Sequence, residues 1–183
     1  MRADARRNRE LILAAADQAF AQDGLGVPVD RIAERAGVGA GTLYRHFPTK
    51  EALFEAVVVE HMQRLAADGH AALESGHPGR ALFEFMGRLA VEASAKRNLI
   101  DALVGAGVDI KQAAAGPKAE VEQVFGQLLE RAQAAGEVRP DVTVSDLFAL
   151  IMGSCAFAGE GSDWSPDRML SVVCTGLQAA PPG

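Results

Sequence analysis

Between positions 39 and 50 the chain gathers Gly41, Thr42, Tyr44, Arg45, His46 and Lys50. This set lacks the paired carboxylates or the nucleophile and base that catalysis needs, but it can grip a nucleic acid. A guanidinium can bond O6 and N7 of guanine together, and hydroxyl and ammonium groups reach phosphate oxygens. On a helix turning about 100° per residue, Leu43 and Phe47 share one face and Gly41 and Arg45 point the opposite way. Thr42 and Tyr44 then flank that outer face. A position without a side chain lets backbone approach base edges, a long guanidinium reads them, and two hydroxyls meet the groove walls. Lys50, at the start of the next helix, opposes the helix dipole unless an anion lies nearby, and Arg6, Arg7 and Arg9 near the first helix start are expected to do the same.

The elements around these residues read as helices. Ala, Leu, Glu and Arg dominate, and apolar residues recur at three and four. A first helix over 5–22 has Leu11, Ile12, Ala15, Ala16, Ala19 and Phe20 as its inner stripe. A short second helix over 29–36 turns Ile32, Ala33 and Ala36 inward and is broken by Gly37. The third begins at Gly39 or Ala40 and stops before Pro48. Thr49 is the expected N-cap of a long fourth helix. Two short helices across a Gly-containing turn are a helix-turn-helix candidate, although the same corner occurs in helical proteins of any function. The exposed tyrosine and arginine favour the nucleic-acid reading.

Further along, Leu82 to Leu89 mark a fifth helix. A looser region over 96–116 holds one short helix around 99–104. Pro117 suits the first turn of a seventh helix. Thr143 and Asp146 form a capping-box pattern for an eighth, and Ser165-Pro166 reads as the start of a last one. The fold class is therefore all-α, about nine helices, with a three-helix head over 1–50 and a helical body over 51–183.

Composition agrees. The 183 residues are 49% apolar and carry a net charge of −6, yet residues 1–50 hold eight Lys/Arg against six Asp/Glu, and the remainder ten against eighteen. The positive end is the one expected to meet phosphate. No apolar run is long enough to span a bilayer, no signal peptide is apparent, and a cytoplasmic location is expected. Cys155 and Cys174 read as reduced, buried thiols, with a redox pair as the alternative. The four histidines lack a metal-ligand spacing, and no catalytic motif is present, so no metal, cofactor or catalytic residue is expected.

The run Ile32-Ala33-Glu34-Arg35-Ala36-Gly37-Val38, then Gly41-Thr42-Leu43-Tyr44-Arg45-His46-Phe47, then Lys50-Glu51-Ala52-Leu53, closely resembles the DNA-binding head of the TetR (tetracycline repressor) family of bacterial regulators. The resemblance implies phosphate contacts from Thr42, Tyr44 and Lys50, and base or backbone contacts from Gly39, Ala40, Arg45 and His46. Pro28 and Val29 stand where the family often has a Ser or Thr cap, and Gly39 where it often has Ser. Each change removes a hydroxyl, which shifts expected phosphate binding toward Arg31 and the N-terminal arm with Arg6.

For the body the resemblance implies a small-molecule pocket, with His61, Phe83, Met86, Phe125, Phe148 and Met152 as candidates for an apolar or aromatic effector. It also implies a homodimer through the last two helices, with Leu147, Ile151, Ser154, Val173 and Leu177 as candidates. The function implied is a ligand-released repressor on a palindromic DNA operator. The alternative is a helix-turn-helix regulator without a small-molecule effector, governed by a partner protein or by nothing.

Overall fold

The computed structural model describes residues 2–105, 111–156 and 166–179. Among them are eight α-helices: α1 (Arg2–Asp23), α2 (Val29–Ala36), α3 (Ala40–His46), α4 (Lys50–Leu73), α5 (Pro78–Gly105), α6 (Lys111–Ala134), α7 (Val144–Ala156) and α8 (Pro166–Leu177). A single 3-10 turn, Gly24–Gly26, follows α1. The chain divides into one unit of Met1–His61 with Ala95–Ala115 and another of Met62–Ser94 with Gly116–Gly183.

In the first unit α1 packs on α2 and α3, and α2 on α3. The buried stripe of α1 is Ile12, Leu13, Ala15, Ala16, Ala19 and Phe20, whereas Leu11 is 42% exposed. Leu11 was expected inside. It lies about 140° from the stripe's centre at Ala16, while Leu13 projects beside Phe20. The Phe20 ring meets Phe54 of α4 at 4.7 Å between centroids. Leu53, Val57 and Val58 complete the buried face of α4 here.

α2 ends as its sequence requires. Gly37 takes φ 68°, the left-handed conformation that glycine adopts without penalty. Its N–H bonds the Glu34 carbonyl at 3.1 Å, and the Val38 N–H bonds the Ala33 carbonyl at 3.0 Å. This paired closure satisfies two carbonyls at the helix end and turns the chain toward α3. Thr49 caps α4 as expected, its Oγ1 accepting from the Ala52 N–H at 3.1 Å.

The second unit has its core between α5, α6 and α7, with Leu82, Phe85, Met86, Val124, Phe125, Leu128, Leu147 and Ile151 all at most 2% exposed. Phe125 receives Phe85 at 5.6 Å and Phe148 at 5.1 Å, both edge-on. Gly69 of α4 joins this core closely: a Cβ there would stand 2.5 Å from Val124 Cγ1 and 3.1 Å from the Phe85 ring. The capping box of α7 forms, with the Asp146 N–H donating to Thr143 Oγ1 at 3.2 Å and the Thr143 N–H to Asp146 Oδ2 at 2.9 Å. Val138 and Gln178 pair as an isolated antiparallel bridge beside the end of α8.

Two expectations are corrected. The looser region does not begin at position 96, because α5 continues to Gly105. The polar run Lys96-Arg97-Asn98 interrupts the apolar pattern in the sequence but contains neither Gly nor Pro, so it holds no helix breaker. Pro117 lies inside α6, which begins at Lys111. Its missing N–H forfeits one bond to the Ala113 carbonyl, a cost the helix bears six residues in. One helix merges with its neighbour, which gives eight in place of nine among the described residues. Ser165 lies outside them.

Candidate nucleic-acid interface

α3 is seven residues long and borrows its placement from tertiary contacts. Its N-cap is Gly39, whose carbonyl receives the Thr42 and Leu43 N–H groups at 2.8 and 3.1 Å, with no side-chain cap. Leu43 is 1% exposed and Phe47 4%, so this pair anchors the helix from behind. Arg9 of α1 covers the outer side of Phe47, its guanidinium carbon 5.7 Å from the ring centroid, and lies 4.0 Å from Glu60 of α4.

The opposite side of α3 is open. Tyr44 is 47% exposed; Gly39, Ala40, Gly41 and Arg45 are exposed, and Thr42 and His46 half-buried. A Cβ built on Gly39 or Gly41 would touch nothing within 4 Å, so neither glycine is demanded by packing in the protomer. Arg45 does not wave free. Its Nε donates to the Gly41 carbonyl at 3.2 Å and its Nη2 to Thr42 Oγ1 at 2.9 Å. Gly41, Thr42, Tyr44 and Arg45 thus lie together on the outer side of α3, backed by Leu43 and Phe47.

The cations around the ridge are engaged to different degrees. Lys50 Nζ, half-buried, donates to the Val27 carbonyl at 2.5 Å, which ties the first turn of α4 to the approach to α2. Arg6 is solvated and 3.7 Å from Glu10, one turn on. Because α1 starts at Arg2, Arg6, Arg7 and Arg9 lie beyond its first turn, where Asp4 stands instead. Contrary to expectation, none of these three arginines stands in the first turn of α1, where a cation would oppose the helix dipole. Arg31 is exposed on the first turn of α2, and its guanidinium has no partner among the described residues. Sequence reading missed Arg35, which bonds Asp23 at 2.8 Å and Gln22 at 3.3 Å and fastens α2 to the end of α1. Only the opposite charges of Asp23 and Arg35 hinted at it, since a pair twelve residues apart has no periodic signature.

The body candidates fall elsewhere. Met86 and Phe125 are 0% exposed, so no water-sized space adjoins either in this conformation. Phe148 is half-buried edge-on to Phe125. Phe83 lines a shallow open depression with Arg80, Glu84, Gly136, Glu137, Gln178 and Ala179, and Met152 is 55% exposed. These residues do not converge on one cavity. His61 bonds Asp17 of α1 at 2.8 Å. Of the dimer candidates, Leu147, Ile151, Ser154 and Leu177 are buried within the protomer, and Val173 is partly buried against its core. The faces of α7 and α8 that remain outward carry Ala149, Leu150, Met152 and Gly153, and Val172 and Gly176.

Among the described residues no three metal-ligating side chains cluster, and no helix is long and apolar enough to cross a membrane. Cys174 is half-buried, and burial pushes its thiol pKa up, away from the reactive thiolate. The Cys155 side chain lies outside the description.

Comparison with known proteins gives the family of the chain. Residues 12–57 match the family model described as bacterial regulatory proteins, tetR family, and residues 77–179 match the C-terminal domain of transcriptional regulators like SbtR. The crystal structure of a TetR transcription regulatory protein from Mycobacterium vanbaalenii superposes with a TM-score of 0.81 at 44% identity, over 97% of this chain and 99% of that one. The HTH-type transcriptional repressor KstR of Mycolicibacterium smegmatis is 32% identical over 141 residues, 75% of this chain and 69% of that protein. The HTH-type transcriptional regulator UidR of Escherichia coli K12 is 28% identical over 156 residues, 83% and 80% of the two chains. This chain belongs to the TetR family: it is a helix-turn-helix, DNA-binding transcriptional regulator and not an enzyme.

Proposed function

We propose that the protein is a repressor that sits as a homodimer on a palindromic operator and leaves it when a small apolar or aromatic effector binds the body. In this reading residues 1–50 are the DNA-binding head, residues 51–183 bind effector and partner, and the protein acts in the cytoplasm. The observation that carries it is the outward ridge of Gly41, Thr42, Tyr44 and Arg45 on a helix anchored by Leu43 and Phe47. Arg45 reads guanine from the major groove, Thr42, Tyr44 and Lys50 hold phosphate, and Gly39, Ala40 and His46 lie close to the DNA. Arg31 and Arg6 add phosphate contacts at the edges.

Dimerisation is supported by the outward apolar face of α7 and α8, where Leu150, Met152 and Val172 are exposed beside the small Ala149, Gly153 and Gly176. Small residues let two helix pairs approach closely, and a two-fold interface buries the same face of both copies. Repression is supported by the relative KstR, which is named a repressor. The effector must differ in affinity between two arrangements of the body, since equal affinity shifts nothing. It would have to part the close packing around Phe85, Phe125 and Phe148. That same packing favours a second reading, a regulator with no small-molecule effector. Selection of bound sequences from random DNA tests the main reading: a palindrome with half-sites about 34 Å apart is expected, and an asymmetric single site would refute the dimer. A thermal-shift screen with apolar and aromatic compounds separates the two readings, because only the first predicts a compound that both stabilises the protein and weakens operator binding.

A further inference from the structure

Arginine can meet a guanine with either of two edges, Nε with Nη2 or Nη1 with Nη2, and on a flexible stem it samples both. In this protein one edge is already occupied. Arg45 Nε is given to the Gly41 carbonyl and Nη2 to the Thr42 hydroxyl, at 3.2 and 2.9 Å. Thr42 precedes Arg45 by three residues, the spacing at which helix side chains are neighbours. Thr42 is half-buried while Arg45 is exposed, so the hydroxyl is the better-held partner of the two. What remains for a ligand is the end of the guanidinium, Nη1 with the second Nη2 hydrogen.

We propose that Thr42 is a positioning residue for Arg45: its hydroxyl holds the guanidinium along α3 so that the Nη1 and Nη2 end is presented to guanine before DNA arrives. This rests on the base-reading role proposed for Arg45. It assigns Thr42 a part in sequence preference, in addition to any phosphate contact. The advantage is that side-chain freedom is surrendered on folding and not on binding, so the base contact keeps more of its strength. A wrong base cannot use the ordered fork, and discrimination rises.

The test uses the full-length chain and a site selected from random DNA. The guanine read by Arg45 is the position at which Arg45→Ala loses preference. Dissociation constants are then measured for that site and for the same site with the guanine replaced. Thr42→Val should lower the ratio of the two by about 2- to 10-fold, the worth of ordering one rotamer-rich side chain. Thr42→Ala should do the same, and Thr42→Ser, which keeps the hydroxyl, should restore the wild-type ratio. Matching melting curves guard against a folding defect, and the two hydroxyl-free variants must agree. An unchanged ratio in both overturns the proposal. So does an equal loss of affinity for both sequences, which marks Thr42 as a phosphate contact alone. Failure of Thr42→Ser to restore the ratio also overturns it. If Arg45→Ala changes preference at no position, the base-reading role itself falls, a result distinct from the others because the Thr42 variants need not be consulted.

Discussion

Lys50 offers the sharpest division between a DNA contact and a structural tie, because it is bonded within the protein and the proposed function adds a phosphate contact. Its ammonium reaches the Val27 carbonyl at 2.5 Å from the first turn of α4. Hydrogen bonds to charged groups contribute about 1.5–3 kcal/mol, and solvent around a half-buried lysine reduces this toward about 1 kcal/mol. Lys50→Met should therefore lower the unfolding free energy by about 1 kcal/mol, read from urea titration. If Lys50 also holds phosphate, its loss shows in the salt dependence of binding. Each neutralised phosphate contributes about 0.9 to the slope of log K against log salt, so two per dimer contribute about 1.8. Between 50 and 200 mM salt that amounts to about 12-fold: the wild type should lose about 12-fold more affinity than Lys50→Met over this interval. Lys50→Arg should keep the wild-type slope. Fluorescence anisotropy on one selected operator at four salt concentrations suffices. A Lys50→Met slope equal to the wild type, with stability still reduced, would refute the phosphate contact and leave Lys50 a structural role.

Other outcomes are expected as follows. Gly69→Ala gains about 1 kcal/mol of helix propensity but meets Val124, a stiff β-branched side chain that cannot easily rotate away, at a cost of about 1–3 kcal/mol. A net loss of about 1 kcal/mol is expected in urea, and Val124→Ala should cost less in that background than alone; a stabilised Gly69→Ala protein would show that the core yields. Hydrogen bonds from the Thr143 hydroxyl and then its N–H hold the Asp146 carboxyl below the ordinary carboxylate range. A depressed folded pKa gives stability that is present above about pH 4 and lost as pH falls through the folded value. The urea midpoint of Asp146→Ala should thus lie below wild type at pH 7 and converge with it in acid; a gap unchanged at pH 3 sinks the assignment. Leu150→Glu with Val172→Glu should convert a dimer to monomers in analytical ultracentrifugation while leaving the helical content intact. A dimer that survives both changes places the interface on another face.

Local rules made much of the head legible. Leu43 and Phe47 at a spacing of four, Gly37 between two short helices and Thr49 before a helix each act over one turn, and each stands as expected. The Thr143–Asp146 box was readable for the same reason. Long-range partners were not: Arg35 with Asp23, Arg9 with Phe47 and Lys50 with Val27 join residues that no helical period links. The misplaced Leu11 shows how apolar neighbours at one-residue spacing blur a stripe. α7 was ambiguous for a related reason, since Leu147 and Ile151 on one face and Leu150 and Met152 on the other are equally apolar. Periodicity identifies two such faces without saying which the protomer covers itself.

Pro28 and Gly39 stand at the starts of α2 and α3, and neither supplies a side-chain cap. Helices this short are not stable alone in water. A synthetic fragment spanning the turn and its two helices would therefore be a floppy strand of little use as a decoy or a graft. Whoever wishes to move this protein's sequence preference to another scaffold must carry α1 along with it.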